Sequence, residues 1–248
     1  MSSNDGDRLL RRMSDMERDQ SFPDSEPRDA ATIMLIDRAG PQAKVLLGRR
    51  HHGHKFMPGK FVFPGGRIEA HDRAMTAVSE LHPDTQAKLL EKVGNPAADL
   101  ARGLALAAVR EMAEETGILL GVKGDEPPQT PGEIWTEFSK ASIHPDLGQL
   151  HFIARAITPP RRPKRFDTRF FTADATTIAH RIEGVVGPDS ELVELVWAPI
   201  EEAARFDMPT ITSVVLEELA ARVAAGMAHD LPVPFYFMEN QKFHRELL

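Results

Sequence analysis

The stretch that decides the fold is Arg110-Glu111-Met112-Ala113-Glu114-Glu115-Thr116-Gly117-Ile118. At about 100° per residue of an α-helix, Glu111, Glu114 and Glu115 fall on one face within an arc of roughly 100°. The opposite face carries the small and apolar side chains of Ala105, Leu106, Val109, Met112 and Ala113. We therefore predict a helix from about Ala98 to Thr116 that packs on one side, presents acid on the other and ends at a Gly117 cap.

This acidic face is unfavourable unless something compensates its charge. Like charges four residues apart repel, and acids late in a helix oppose its dipole. Arg110 is placed to relieve Glu114, but no basic residue four positions away relieves Glu111 or Glu115. The simplest compensation is a divalent cation, and carboxylate oxygens suit Mg²⁺ or Mn²⁺. The alternative that the pattern alone leaves open is a solvated acidic surface.

The segment resembles the second half of the box that marks the Nudix hydrolases, R-E-U-x-E-E-x-G-U, where U is a bulky aliphatic residue. The first half of that box, G-x5-E, is also recognisable. Phe63-Pro64-Gly65-Gly66 supplies its glycine, and Asp72 stands where the family has glutamate. The family's box is normally continuous, whereas here extra residues, roughly 73–102, interrupt it.

Split boxes of this kind occur in the branch that includes the peroxisomal coenzyme A diphosphatases. Arg165-Phe166-Asp167-Thr168-Arg169-Phe170 resembles that branch's R-F-D-T-x-F segment, and residues 193–203 resemble the family's late strand and helix. A second coenzyme A motif, which runs from L-L-T-x-R to F-P-G-G, is matched in part. Arg50 and Gly59 keep its spacing, and Lys55 replaces one of its arginines.

The resemblance implies a metal-dependent hydrolase that cleaves a pyrophosphate linkage. Glu111 and Glu115 would bind Mg²⁺ or Mn²⁺ directly, and Glu114 directly or through water. The carbonyl of Gly65, or that of Gly66, would be a further ligand. Arg110 would orient a carboxylate, and one glutamate, not assigned by the sequence, would act as base. Gly66, Asp72 and Gly117 would shape the box. The basic side chains expected to bind substrate are Arg49, Arg50, Lys55, Arg161, Arg162 and Arg165.

The substrate expected first is coenzyme A or an acyl-coenzyme A, cleaved to 3′,5′-ADP and the 4′-phosphopantetheine half. A dinucleotide or nucleotide sugar, such as NADH or ADP-ribose, is the second hypothesis. A catalytically lapsed domain that senses a nucleotide is the third, although a lapsed site has no physical need for three repelling carboxylates. The sequence leaves the oligomeric state open.

The amino-acid composition excludes several classes of protein. The chain has 248 residues, a net charge of −7 and no cysteine. The charge argues against a generally basic nucleic-acid-binding surface, and the lack of cysteine excludes disulfides and thiol chemistry. No apolar run is long enough to cross a bilayer, so we expect a cytoplasmic protein without a membrane or nucleic-acid partner. Its partner would be a small-molecule nucleotide diphosphate.

The hydropathy pattern predicts an α+β fold, a Nudix-type α/β/α sandwich with a mixed sheet. Residues 1–29 are polar and Pro-containing, so we expect a disordered tail followed by one domain over residues 30–248. Residues 73–99 predict a helical hairpin inserted in the box, beside the substrate mouth. Strands are expected at residues 31–36, 44–49, 61–63, 150–157, 166–173 and 192–197, and late helices at residues 200–206 and 211–226.

Overall fold

The computed structural model describes residues 3–15, 21–53 and 57–248. The helices in these ranges are α1 Ser3–Ser14, α2 Ala70–Ala74, α3 Pro83–Leu90, α4 Leu100–Thr116, α5 Thr136–Ala141, α6 Ile200–Ala203 and α7 Thr210–Ala224. The strands are β1 Arg28–Asp37, β2 Lys44–Arg50, β3 Phe61–Val62, β4 Gly65–Arg67, β5 Ile118–Leu120, β6 Val122–Lys123, β7 Ile143–His144, β8 His151–Ile157, β9 Phe166–Asp174, β10 Ile178–Arg181, β11 Leu192–Pro199, β12 Pro234–Glu239 and β13 Lys242–Leu247. No helix in this part of the chain is both long and apolar enough to cross a membrane.

One large sheet organises the described chain. Its order is β11-β2-β1-β9-β8-β12-β13, with β3 added to β2 and β4 added to β1. The β1–β9 and β8–β12 pairs are parallel and the remaining pairs are antiparallel, so the sheet is mixed as predicted. Two smaller ladders join β5 to β10 and β6 to β7.

The alternation of side chains along β1 gives the sheet two buried faces. Ile33 and Leu35 pack with the apolar side of α4 in one core, whereas Met34 and Ile36 pack with α1, α6 and α7 in the other. Successive strand residues point to opposite faces, so one apolar run serves both cores. This arrangement is the α/β/α sandwich that the sequence predicts.

Helix α4 follows its sequence closely. The five residues predicted to pack are at most 7% exposed. The helix ends at Gly117, whose φ of 73° lies in the left-handed region and whose N–H donates to the Ala113 carbonyl. Glycine adopts this conformation without a Cβ penalty, which explains the stop.

Part of the predicted disordered tail over residues 1–29 is the helix α1, whereas residues 1, 2 and 16–20 lie outside the described residues. Helix α1 buries Leu9 and Met13 in the second core, and Arg8 and Arg12 pair with Glu217 of α7. Two apolar side chains four residues apart form a stripe that the overall polar composition hides. Strand β1 begins at Arg28, two residues before the expected start of the domain.

The insertion is less helical than the predicted hairpin over 73–99. The expected first helix at residues 74–81 is mostly irregular, and α2 ends at Ala74. Helix α3 does form, with His82 as N-cap and Pro83 at its first position. The irregular segment is held by polar contacts instead, since Ser79 bonds to Asp146 and Arg102 to Glu80.

Candidate active site

A cavity of about 520 Å³ lies where α4 meets the Pro-Gly-Gly turn. Strand β4, which follows that turn, pairs with β1 at Thr32↔Gly65 and Ala31↔Gly66. The pairing places Gly65 and Gly66 in the cavity wall beside Glu111 and Glu115 of α4. The charged side chains of the wall are Arg50, Arg67, Glu69, Glu111, Glu115, Lys164 and Glu191. The wall therefore combines four acidic side chains with three basic ones.

Arg110 organises the acidic face from behind. Its Nε donates to Asp72 Oδ1 at 2.8 Å and its Nη2 to Asp72 Oδ2 at 3.2 Å, and both side chains are almost completely buried. Its Nη1 donates to Glu111 Oε1 at 2.8 Å and to Glu114 Oε2 at 2.6 Å. Burial works against the charged guanidinium, but the bond to Asp72 and the neighbouring carboxylates outweigh it and raise the pKa of Arg110.

Glu111 lies directly against the main chain of Gly66. A Cβ atom at position 66 would overlap the Glu111 carboxylate, so only glycine permits this approach. Burial raises the pKa of Glu111 to about 7, despite the opposing effect of Arg110. The carboxylate is thus held at the cavity wall between a guanidinium and a bare peptide.

Glu115 is the least compensated acid of the site. Its side chain is buried, and its Oε2 atom has no hydrogen-bond partner. Burial and the nearby charges of Glu191 and Glu111 raise its pKa well above the usual carboxyl value, although Arg50 and the Gly65 backbone oppose the shift. A buried carboxylate oxygen without a partner is costly, so this atom is suited to a cation that the chain itself does not supply.

The donor set fits a hard divalent cation, but the side chains do not enclose one. Among the described residues, no three His, Asp or Glu side chains converge as a ready metal cluster. Glu114 is 40% exposed and turns towards Arg110. Glu111 and Glu115 remain at the cavity wall with the Gly65 main chain. Two carboxylates, a carbonyl and water are ligands that Mg²⁺ accepts.

Comparison with solved structures identifies the fold. A Nudix hydrolase from Alicyclobacillus acidocaldarius is 29% identical, with a TM-score of 0.59 over 79% of this chain and 92% of that one. The chain has a Nudix fold. The Nudix domain of Shewanella oneidensis NrtR, crystallised with ADP ribose, is 13% identical with a TM-score of 0.44, covering 90% of this chain and 99% of that one. A C. elegans Ap4A hydrolase is also 13% identical, with a TM-score of 0.41 and coverage of 79% and 99%. No family model matches the chain.

The two segments of the interrupted motif meet in space. Asp72 and Arg110 meet although they lie 38 residues apart, and the intervening segment leaves the pair intact. Among the described residues of the cavity wall, none comes from the insertion over 73–99. Lys88 instead bonds to the His229 and Leu231 carbonyls, and Arg155 bonds to the Glu91 carbonyl. The insertion therefore packs away from the mouth, contrary to the expectation that it stands beside it.

The basic residues predicted to bind substrate occupy different places around the cavity beside Glu111 and Glu115. Arg50 lies in the wall, where its Nη2 pairs with Glu191 Oε1 at 2.9 Å. Arg49 does not reach the described wall, and its Nε donates to Glu194 at 2.8 Å. Lys55 lies outside the described residues.

The basic residues of the loop over 161–165 also occupy different positions relative to the cavity. Arg162 lines an adjoining cavity, whereas Arg161 is exposed and has left-handed backbone at φ 60°. Arg165 is tied to the structure, because it donates to the Thr158 carbonyl at 3.1 Å and pairs with Asp24 at 2.7 Å. Of this loop, Lys164 reaches the cavity wall.

Sequence reasoning missed Glu191 and Arg67 as members of this site. Glu191 directly precedes β11, whose Leu192 pairs with Arg50 of β2. The pairing of the late strand with the second strand was the signal that would have located Glu191. Arg67 follows the recognised Pro-Gly-Gly turn, and its carbonyl accepts a bond from Arg110 at 2.9 Å.

Proposed function

We propose that the chain is a metal-dependent Nudix pyrophosphatase. The observation that carries this proposal is the arrangement of Glu111 and Glu115 at the wall of a 520 Å³ cavity, with an unpartnered buried oxygen on Glu115. Cationic groups at Arg50, Arg67 and Lys164 line the same cavity. Carboxylates that can bind a metal and cationic side chains that can bind phosphate thus line one cavity. This combination suits the hydrolysis of a phosphoanhydride.

Glu111, Glu115 and the Gly65 carbonyl would hold Mg²⁺ or Mn²⁺, with Glu114 acting through water. The bound metal would neutralise phosphate charge and lower the pKa of a water molecule. The chain's own task is to keep these acids in place. Arg110 fixes Glu111 and Glu114 through charge-assisted bonds, and buried Asp72 fixes Arg110.

The cationic side chains would bind the substrate's phosphates. Arg50 is mostly buried and paired with Glu191, so its guanidinium is pre-positioned. Lys164 is exposed at the edge of the cavity and is free to follow a phosphate group. A planar guanidinium and a flexible ammonium contribute different geometries to phosphate binding.

We further propose coenzyme A or an acyl-coenzyme A as the substrate, with products 3′,5′-ADP and the 4′-phosphopantetheine half. Support comes from the R-F-D-T segment that begins at Arg165 and from the partial second motif around Arg50. Arg162 lines the adjoining cavity and Lys164 borders both cavities, so these two basic side chains are the ones we assign to the extra 3′-phosphate. Dinucleotides and nucleotide sugars lack that phosphate or place it elsewhere.

A panel assay tests both levels of the proposal. Coenzyme A, dephospho-coenzyme A, NADH and ADP-ribose are incubated with Mg²⁺ or Mn²⁺, and products are identified by mass. We expect coenzyme A to exceed dephospho-coenzyme A by roughly tenfold or more in kcat/KM, because charge-assisted bonds to one phosphate are lost. A double Arg162→Gln, Lys164→Gln variant should erase that difference, with Arg205→Gln as an exposed control.

The pyrophosphatase proposal and the coenzyme A assignment can be contradicted independently of each other. Equal rates on both compounds, or a preference for NADH or ADP-ribose, contradict the coenzyme A assignment and leave the pyrophosphatase standing. Metal-dependent hydrolysis of none of the four compounds contradicts the pyrophosphatase proposal and favours the nucleotide-sensing alternative, which binding of the same four compounds would then support.

A further inference from the structure

A second cavity of about 410 Å³, which we call the apolar chamber, adjoins the cavity beside Glu111 and Glu115. We call the latter the active-site cavity. Met13 of α1, Ala156 of β8 and Phe243 of β13 line it, together with the loop that leads into α7. Its wall also includes Tyr236, whose hydroxyl donates to Glu218 and therefore offers no free polar group. The interior of the chamber thus favours hydrocarbon over water.

The apolar chamber and the active-site cavity share part of their walls. Thr168 and Phe170 project from the same face of β9 and border both spaces. Met57, Ile211 and Lys164 also belong to both. A ligand that extends from the acidic centre along this sheet face would therefore reach the chamber without passing through a packed core.

The edge of the apolar chamber is basic. Lys60, Arg162 and Lys164 line it, and no acidic side chain among the described residues does so. Lys60 is held by Asp207 from outside the chamber. An apolar interior with a cationic edge matches a ligand that joins a hydrocarbon chain to an anionic group.

We propose that the apolar chamber binds the linear acyl or alkyl chain of an anionic substrate whose pyrophosphate lies beside Glu111 and Glu115. This inference rests on the proposed function and adds to it a binding site for the hydrocarbon chain of the substrate. Each methylene group that enters the chamber should improve binding about fourfold, until the chamber is full.

Chain-length dependence tests the chamber without catalysis. Calorimetric titration of the full chain with n-alkyl phosphates from butyl to decyl, below micelle formation and without divalent metal, measures Kd. We expect Kd to fall about fourfold per methylene and then level off. A Kd independent of chain length overturns the proposal.

Ala156→Leu should fill the chamber and weaken the longest ligand by at least tenfold, with butyl phosphate unchanged. Ala221→Leu is the matched control, because Ala221 lines a separate cavity beside α7. Met208→Gln keeps the side-chain volume and adds a polar group to the chamber wall, so it serves where Ala156→Leu does not fold. Equal loss in Ala221→Leu, or no loss in either chamber variant, contradicts the proposal.

Hydrolysis separates this inference from the function on which it rests. We expect kcat/KM to rise from acetyl- to hexanoyl- to decanoyl-coenzyme A in the wild type and to rise less in Ala156→Leu. Cleavage of all three at equal rates, with equal alkyl phosphate affinities, overturns the chamber and leaves the pyrophosphatase intact. Chain-length-dependent binding without any pyrophosphate hydrolysis supports the chamber and contradicts the proposed function.

Discussion

Arg110 and Asp72 form a two-point ion pair in the interior, with Nε–Oδ1 and Nη2–Oδ2 distances of 2.8 and 3.2 Å. Asp72 also accepts the backbone N–H of Glu69 at 2.8 Å, so α2 and α4 are joined through one carboxylate. The pair spans the insertion and joins the two segments of the interrupted motif. Every described contact of Glu111 and Glu114 with Arg110 depends on where Asp72 holds that guanidinium.

The first prediction is that Asp72→Asn destabilises the fold by about 3 kcal/mol. The change leaves the buried Arg110 charge without its closest partner, although Glu111 and Glu114 still compensate part of it. Urea unfolding with an unchanged m-value measures the loss. Glu80→Gln, in the exposed pair with Arg102, is the control and should cost under about 1 kcal/mol. Equal effects of the two variants would contradict the structural role of Asp72.

The second prediction concerns the bare peptide beside Glu111. Gly66→Ala should lower kcat by about 100-fold, because a Cβ atom would displace the Glu111 carboxylate. Gly94→Ala is the matched control, since nothing lies within 4 Å of a Cβ at that position. Steady-state kinetics with saturating Mg²⁺ provide the measurement. Wild-type kcat in Gly66→Ala would show that the Glu111 position is not critical.

The third prediction concerns stability in mild acid. The rings of His82, His229 and His151 are stacked, with successive centroids 4.2 and 4.1 Å apart. Burial, followed by the charge of His229, lowers the pKa of His151 from 6.5 to about 4. Between these pH values the unfolded chain binds more protons than the folded one, so stability falls as pH falls from about 6.5 to 4.

His151→Gln removes one of these titrating groups. The variant should be less stable than the wild type at pH 7.5, because it loses the ring stack, and the difference should narrow by pH 4.5. Urea unfolding across this range gives both curves. Parallel curves would contradict a contribution of His151 to the acid sensitivity.

Much of the site could be predicted from local sequence, because helical register alone determines it. The spacing of Glu111, Glu114 and Glu115 predicted one acidic face, and Gly117 predicted the end of α4. The buried side of α4 followed from the same periodicity. These features depend on residues within about one or two turns of each other.

Other features depend on pairings that a local pattern does not contain. Glu191 reaches Glu115 because β11 pairs with β2, more than a hundred residues away along the chain. Helix α1 forms against α7 and β13, so its Leu9–Met13 stripe matters only in the folded protein. The prediction of a tail rested on the polar composition of this segment. Burial of its few apolar side chains in the second core outweighs that composition.

The structure of the insertion also could not be predicted from local sequence. Residues 74–81 have helical composition, but the folded chain uses Ser79 and Glu80 for contacts with Asp146 and Arg102. Tertiary hydrogen bonds therefore override local propensity in this segment. The hairpin β12–β13 was also missed, although its own pairing is local. Its position beside β8, in contrast, depends on contacts distant in sequence.

The most direct measurement of the central claim is the turnover of coenzyme A in saturating Mg²⁺ by the wild type, Glu115→Gln and Glu137→Gln. Glu137 is exposed on α5 and pairs with Lys140, so it is the matched control. We predict a loss of more than roughly 100-fold for Glu115→Gln. Its unfolding free energy, measured without divalent metal, should equal or exceed that of the wild type, because a buried carboxylate oxygen without a partner is removed. Glu137→Gln should retain full turnover. Wild-type turnover in Glu115→Gln would contradict the assignment of this carboxylate to a metal-dependent hydrolytic site.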